Sequence, residues 1–448
     1  MSSATNNGAM SATTGTMESA SQVKTGHLMG AYWALLAFYV IYCARPEDWI
    51  PGLAYVPLAK ITGGLAAVVA LMTLGSGSRK LPREVLYLAL LIAQFWLAVP
   101  FSPVWRGGAF WSTLGFSKLL LIFPAMILVT QTLSSLRRLI FVQAGSTVLV
   151  ALASIALNAR ASAGRLTGAE NGQYGNPNDL ATALSIALPF CFAFLLKGRG
   201  VLRKVAWGVS IVAMIYAVIL TESRSGLLAV VLSMGFCLWE LGVKGGRRYL
   251  IALSALVVLV FAIIAGKGLK ARFAATFGSE VVTQEEETAH ESALERREML
   301  KDSIILTLQH PLFGVGANNF TPTTQHWRET HNDYTQMSCE GGIPALILFL
   351  MILWRAFRNL RETNQAVPKN SEEALWAGTL HASFLGFLAG AFFSSVAYLY
   401  YPYFLVGYTS ILRSLVSSPE GAPPQPAPVK PREKLDQTVF IQGRAAGL

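Results

Sequence analysis

The sequence predicts an all-α integral membrane protein of about twelve transmembrane helices, with one large outer loop containing an amphipathic helix. Three observations carry this. Only 14% of the 448 residues are charged, against about 25% in a soluble chain, and 53% are hydrophobic, so most of the chain has a solvent other than water. Apolar runs recur along the chain, each approaching the roughly 20 residues needed to cross a hydrocarbon layer. Lys and Arg gather in alternate loops between those runs.

The runs fall near 28–43, 54–74, 85–101, 110–130, 139–158, 180–196, 202–220, 226–242, 249–266, 341–357, 374–399 and 401–416. A backbone crossing lipid must satisfy its own hydrogen bonds, so each run is expected to be a helix. The first is short, and is extended by its flanks or tilted. The last two are parted only by Tyr-Tyr-Pro, which predicts a tight outer turn near Tyr400–Tyr403.

Orientation follows from the loops. One set carries Arg79, Lys80 and Arg83; Arg137 and Arg138; Lys197, Arg199, Arg203 and Lys204; Lys244, Arg247 and Arg248; and Arg355, Arg358, Arg361 and Lys369. The intervening short loops hold only Arg45, Arg106, Arg160, Arg165 and Arg224. Basic loops stay in the cytoplasm, so both termini are expected there and the sparse loops outside. The same rule accounts for the net charge of +11. No basic cluster lies outside such loops, so nucleic acid is not an indicated partner.

Residues 1–26, rich in Ser, Thr, Ala, Asn and Gly, have no basic segment beside an apolar core and read as a disordered cytoplasmic tail rather than a cleavable signal. Residues 417–448, with Pro423-Pro424-Gln425-Pro426, read as a second tail. Between them, 27–416 is one polytopic membrane domain. Its outer loop, 267–338, separates the ninth and tenth helices. Within that loop 288–309 has helical character and should stop at His310-Pro311. Leu294, Met299, Leu300, Ile304, Ile305 and Leu308 form a broad apolar stripe, as on a helix lying along the outer membrane surface.

Four cysteines lie in or beside apolar runs without metal-site spacing, and the six histidines form no HxxxH or HExxH pattern. No metal and no cofactor is indicated. Four other constellations can carry chemistry. Arg165 precedes Tyr174-Gly175-Asn176-Pro177-Asn178-Asp179 at a point of membrane entry. The plainer role of that motif is a turn and helix cap; the functional one is anion binding at a helix N-terminus. Thr221-Glu222-Ser223-Arg224-Ser225-Gly226 fills a short outer turn, which puts Arg224 near the bilayer boundary, either at work or snorkelling beside Glu222. Arg296 and Arg297 sit on the amphipathic helix, where a solvated face with Glu–Arg pairs is the plainer reading, and periodicity does not choose between them. His331 and Asn332 lie just outside the membrane, before Glu340-Gly341-Gly342 at the start of a helix. Histidine suits proton transfer near neutral pH, though a lone one is more often structural. Gly314-Val315-Gly316 follows no strand and is not a dinucleotide loop.

Outer arginines, a histidine and amides thus face one compartment. A guanidinium donates bidentately to phosphate and never deprotonates, and in a membrane the phosphate at hand is on a lipid.

On these motifs the chain resembles the O-antigen ligase and polymerase superfamily of bacterial surface-glycan proteins. The matching pieces, in the family's order, are 174–181, 221–228, Arg296 onward to 310–320, and 331–342. The likeness spans roughly residues 30–415, with the first four helices matching in hydropathy alone. It implies a GT-C-like frame and a metal-independent, inverting transfer of a glycan from an undecaprenyl-diphosphate carrier to an acceptor hydroxyl at the periplasmic face. Lipid A–core is the foremost acceptor; a growing glycan or a protein hydroxyl serves in related members. Carried over by motif, Arg224, Arg296 and His331 are the catalytic residues, the offset to His310 selecting Arg296 over Arg297. Arg165, Asn176, Asn178 and Asn332 are counted as substrate-binding, with Glu340 setting either the imidazole tautomer or the loop geometry. Leu300 departs from the family, which commonly has an aromatic there. A transporter of lipid-linked glycans is the competing class; it would line a central path with charges, whereas here charges gather outside.

Overall fold

A computed structural model describes residues 29–50, 52–74, 81–161, 164–169, 172–246, 251, 284–325 and 328–417. The expected span at 249–266 and both tails lie outside the described residues.

The described chain is helical. In order come α1 (29–44), α2 (Leu58–Leu74), α3 (Arg83–Ala98), α4 (Arg106–Ser117), α5 (Leu119–Val129), α6 (Leu133–Ala156), α7 (Pro177–Lys197), α8 (Val201–Leu220), α9 (Arg224–Leu238), α10 (Gln284–Gln309), α11 (Phe320–Thr324), α12 (Asp333–Ala366), α13 (Glu372–Ala391) and α14 (Tyr401–Ser417). Eight of the expected spans are helices long and apolar enough to cross a membrane among the described residues. These are α3 with its following turn, α4 joined to α5, α6, α7, α8, α9 prolonged to Lys244, α12 and α13. Three more, α1, α2 and α14, are shorter helices at the expected places.

Helix α7 is the centre of the bundle. Of its most apolar stretch 83% is buried, against 22% for α8, which therefore turns its face to lipid. The N-terminus of α9 crosses α7 closely: a side chain at Gly226 would collide with Ala181, so the two motifs at 174–181 and 221–228 fit together through a small-residue contact.

The basic loops meet at one end. Arg137 lies 3.2 Å from Glu372, Lys197 pairs with the same carboxylate, and Arg355 reaches Glu84 at 3.3 Å. The starts of α7, α9 and α12 and the end of α13 stand at the other end, as the loop alternation requires.

Two boundaries differ from the sequence reading. Helix α12 starts at Asp333, before Glu340, because Asn332 caps it, accepting from the Tyr334 and Thr335 N–H groups at 3.0 Å. Helix α13 ends at Ala391 and not near 399. The apolar segment 392–400 reads as membrane span but is an irregular turn whose backbone is satisfied by protein. Asp333 Oδ1 accepts from Val396 and Ala397 N–H at 2.7 and 2.9 Å, and Tyr400 N–H donates to Tyr42 Oη at 2.9 Å.

Helix α12 is kinked at Gly342, φ 80°. Residues 311–316 lie against this kink: Ile343 N–H donates to Pro311 O at 2.8 Å, and Val315 and Gly316 N–H to Cys339 and Glu340 O at 2.8 and 2.9 Å. A side chain at 342 would strike the Leu312 carbonyl and the Phe313 nitrogen. Gly342→Ala should therefore cost roughly 2 kcal/mol or more, the left-handed backbone and the collision adding. A thermal melt in detergent checks this; an unchanged midpoint would contradict the packing described.

Candidate functional site

The motifs converge at the sparse end of the bundle, and Asn178 is where they meet. Asn176 is the N-cap of α7, its Oδ1 accepting from Asn178 N–H at 2.9 Å. This aims the Asn178 side chain, buried at the head of the helix, toward the turn between α8 and α9. Asn178 Oδ1 accepts from Ser223 Oγ at 2.8 Å, from Arg165 at 3.4 Å and from Arg296 at 3.5 Å. Three motifs distant in sequence thus share one amide oxygen.

Each partner is fixed locally. Ser223 caps α9 by accepting from Gly226 N–H at 3.1 Å, which starts the helix at Arg224. Glu222, just before, is left-handed at φ 49°. Arg165 donates to Thr221 O at 2.8 Å, and Leu166 N–H to Leu220 O at 2.9 Å, so the entry loop is laid onto the end of α8.

Helix α10 brings in Arg296. Met299 and Leu306 are buried with Val315, Phe320 and Cys339, while Leu294, Leu300, Ile304, Ile305 and Leu308 stay exposed. The helix therefore has a protein-facing seam and a wide apolar outer face, the arrangement expected of a surface helix. Glu295 pairs with Arg328 at 3.2 Å, tying the helix to the histidine loop.

His331 is held in a left-handed conformation, φ 51°. For a non-glycine residue this costs about 1–2 kcal/mol, and such strain persists only where neighbours enforce it. Here the His331 N–H donates to Ser395 Oγ at 3.0 Å, Thr330 Oγ1 lies 3.2 Å from the same hydroxyl, and Asn332 begins α12.

Arg224, Arg296, Arg297, His331 and Asn332 line one cavity of about 580 Å³, walled on its apolar side by Leu228, Val231, Leu300 and Phe392. Its electrostatics are those of crowded cations. Burial, then the Arg224 charge, lowers the Arg296 pKa from its ordinary value, with Glu295 opposing. Burial pushes the His331 imidazole down to about 4, helped by Arg296, Arg328 and Arg165. The imidazole is therefore neutral at pH 7 and able to accept a proton. A site with several positive charges is complementary to a polyanion.

Arg224, Arg296 and His331 are thus brought to one cavity, with Asn178 holding Arg296 from behind and sharing its oxygen with Arg165. Both loop arginines reach the wall, but Arg296 alone of the two is joined to Asn178 by a hydrogen bond described here. Asn176 acts as a cap. Asn332 lines the cavity while its oxygen caps α12 and its Nδ2 donates to Phe392 O at 3.3 Å. Glu340 stands apart from the cavity. Buried, it accepts from Phe320 N–H at 3.2 Å and from Tyr398 Oη at 2.6 Å. Of its two roles left open by sequence, the geometry favours loop positioning.

Sequence reasoning missed Ser395 and Glu329. Glu329 bonds to the Ser395 side chain, and burial raises its pKa above the usual carboxylate value. Neither residue belongs to a motif with readable spacing. Ser395 is hidden in an apolar run.

Asn178→Asp tests the charge logic. A carboxylate would keep the hydrogen bonds but cancel one positive charge of the site. Affinity for inorganic pyrophosphate should fall about tenfold or more, since a unit charge at 4 Å is worth several kcal/mol near a protein surface. An unchanged affinity would mean these arginines do not face the bound anion.

Residues 209–350 match the family model described as O-antigen ligase. The match contains Arg224, Arg296 and His331; Arg165 and Asn178 precede it. The chain therefore carries the O-antigen ligase-type segment of the superfamily it resembles. No curated protein matches the chain.

Proposed function

From that O-antigen ligase-type segment as premise, we propose that the protein transfers a glycan from an undecaprenyl-diphosphate carrier to an acceptor hydroxyl at the periplasmic membrane surface. The observation that carries this is the convergence of Arg224 and Arg296 beside a neutral His331 in one apolar-walled cavity, with Arg165 sharing the Asn178 oxygen behind Arg296.

The acceptor oxygen attacks the anomeric carbon of the lipid-linked sugar. The new C–O bond forms as the bond from that carbon to the diphosphate oxygen breaks, with inversion. The hydroxyl proton passes to His331 and then to solvent, and the polyprenyl diphosphate leaves with the bonding pair. Arg224 and Arg296 stabilise the growing negative charge where water competes poorly. They fill the charge role that a divalent cation has in other phosphate chemistry. Asn178 keeps Arg296 in place by accepting its hydrogen bond.

Lipid A–core is the first candidate acceptor; a growing polysaccharide or a protein hydroxyl is the alternative. Analysis of a deletion strain separates them. Glycan should accumulate on the lipid carrier while one acceptor stays bare, and that acceptor is the substrate. A deletion strain with no accumulating carrier-bound glycan would contradict the proposal.

A further inference from the structure

The irregular turn at 392–400 grips the loop that carries His331 at every residue from 329 to 333. Asp333 Oδ1 accepts from Val396 and Ala397 N–H at 2.7 and 2.9 Å, pinning the turn to the first residue of α12. Asn332 Nδ2 donates to Phe392 O at 3.3 Å. Between these pins, Ser395 Oγ accepts from His331 N–H at 3.0 Å and lies 3.2 Å from Thr330 Oγ1. Glu329 closes the set through its side-chain bond to Ser395.

Proton counting gives this contact a direction. A serine hydroxyl has one proton to give and two lone pairs to offer. As a carboxylate Glu329 only accepts, so it takes the Ser395 proton in a charge-assisted bond. The Ser395 oxygen then meets the histidine loop as an acceptor, and the His331 N–H is its donor. His331 stands at φ 51°, and strain of this kind persists only where neighbours enforce it. The Cβ direction follows the backbone, so a loop relaxed to an ordinary φ carries the imidazole away from its place in the cavity wall. Neither Glu329 nor Ser395 lines that cavity, so whatever they do for the site passes through His331.

We propose that Ser395 and Glu329 are positioning residues for the transfer: Glu329 orients the Ser395 hydroxyl, and Ser395 holds the His331 backbone so that the imidazole meets the acceptor hydroxyl. The proposal rests on the glycan-transfer reading, and its test separates the two.

The test is a double-variant cycle in the purified full-length protein, with transfer from a lipid-diphosphate glycan scored per folded protein. Ser395→Ala should lower kcat about tenfold, the worth of one well-placed hydrogen bond, and leave the KM for the donor unchanged. Ser395→Thr keeps the hydroxyl and should recover most of that loss. Glu329→Gln should lower kcat by a smaller factor. In combination with Ser395→Ala it should add nothing, because it acts through that hydroxyl. A loss that appears in the donor KM overturns the proposal. So does wild-type kcat in Ser395→Ala, or a double variant that loses the product of the single losses. Backbone hydrogen exchange of residues 329–333, measured without substrate, reads the clamp alone. Exchange should quicken about tenfold in Ser395→Ala, since the same hydrogen bond protects the His331 amide, and less in Glu329→Gln. Equal exchange in the wild type and Ser395→Ala overturns the proposal whatever the transfer assay shows. Faster exchange in Ser395→Ala, from a wild type that joins glycan to no acceptor, supports the clamp and sinks the transfer reading instead.

Discussion

Arg224→Ala should lower glycan transfer by about 10²–10³, the loss typical of removing one pre-placed donor to a developing oxyanion. Arg296→Ala should fall in the same range. Both guanidiniums line the cavity and the Arg224 charge acts on Arg296, so both would act on an anion bound there. Because they would serve the same developing charge, the double variant should lose less than the product of the single losses. Arg→Lys at either position keeps the charge but loses the planar fork, so an intermediate loss is expected. Each variant is scored for transfer at equal membrane content. Near-normal transfer by Arg224→Ala and Arg296→Ala would remove the electrostatic core of the mechanism.

His331→Ala should cost about 10²–10⁴, the usual worth of a positioned proton acceptor. The pH dependence is the finer test. The neutral imidazole is the active form, so activity is lost as pH falls through the histidine pKa. In the free protein that value is pushed down to about 4 by burial and by Arg296, Arg328 and Arg165. The acid limb of kcat/KM, which reports free protein, should therefore lie near pH 4, with no loss from this group between pH 8 and 5. A bound diphosphate offsets the arginine charges and favours the imidazolium. The acid limb of kcat should accordingly lie at higher pH than that of kcat/KM. An acid limb of kcat/KM at the ordinary histidine value near 6.5 would contradict the burial of His331 among cations.

Much of this was legible before any coordinates, for identifiable reasons. Loop charges and apolar runs are local signals, and they located eleven helices among the described residues. The site end was legible too, since Arg224 and His331 stand in short polar motifs beside apolar runs. What escaped was set by contacts distant in sequence. Composition extended α13 through 392–399, whereas Asp333 and Tyr42 satisfy that backbone from elsewhere in the chain. Ser395 fell inside the same misread segment, although it clamps the histidine loop. The start of α12 was placed too late because Gly341-Gly342 looked like a helix boundary, when Gly342 is the kink that admits residues 311–316. Asn178 was read as an anion-binding or capping residue. Its role as the common acceptor for Ser223, Arg165 and Arg296 needed the crossing of α7 and α9.

A transporter would also bind a lipid diphosphate, so binding alone does not decide the matter. The decisive measurement is transfer itself: purified protein in detergent or liposomes, a lipid-diphosphate glycan, a panel of hydroxyl acceptors and EDTA throughout. The account predicts glycan covalently joined to one acceptor, release of polyprenyl diphosphate, and neither product with Arg224→Ala or His331→Ala at comparable times. Movement of the intact lipid-linked glycan across the bilayer, with no new glycosidic bond to any acceptor in the panel, would contradict it.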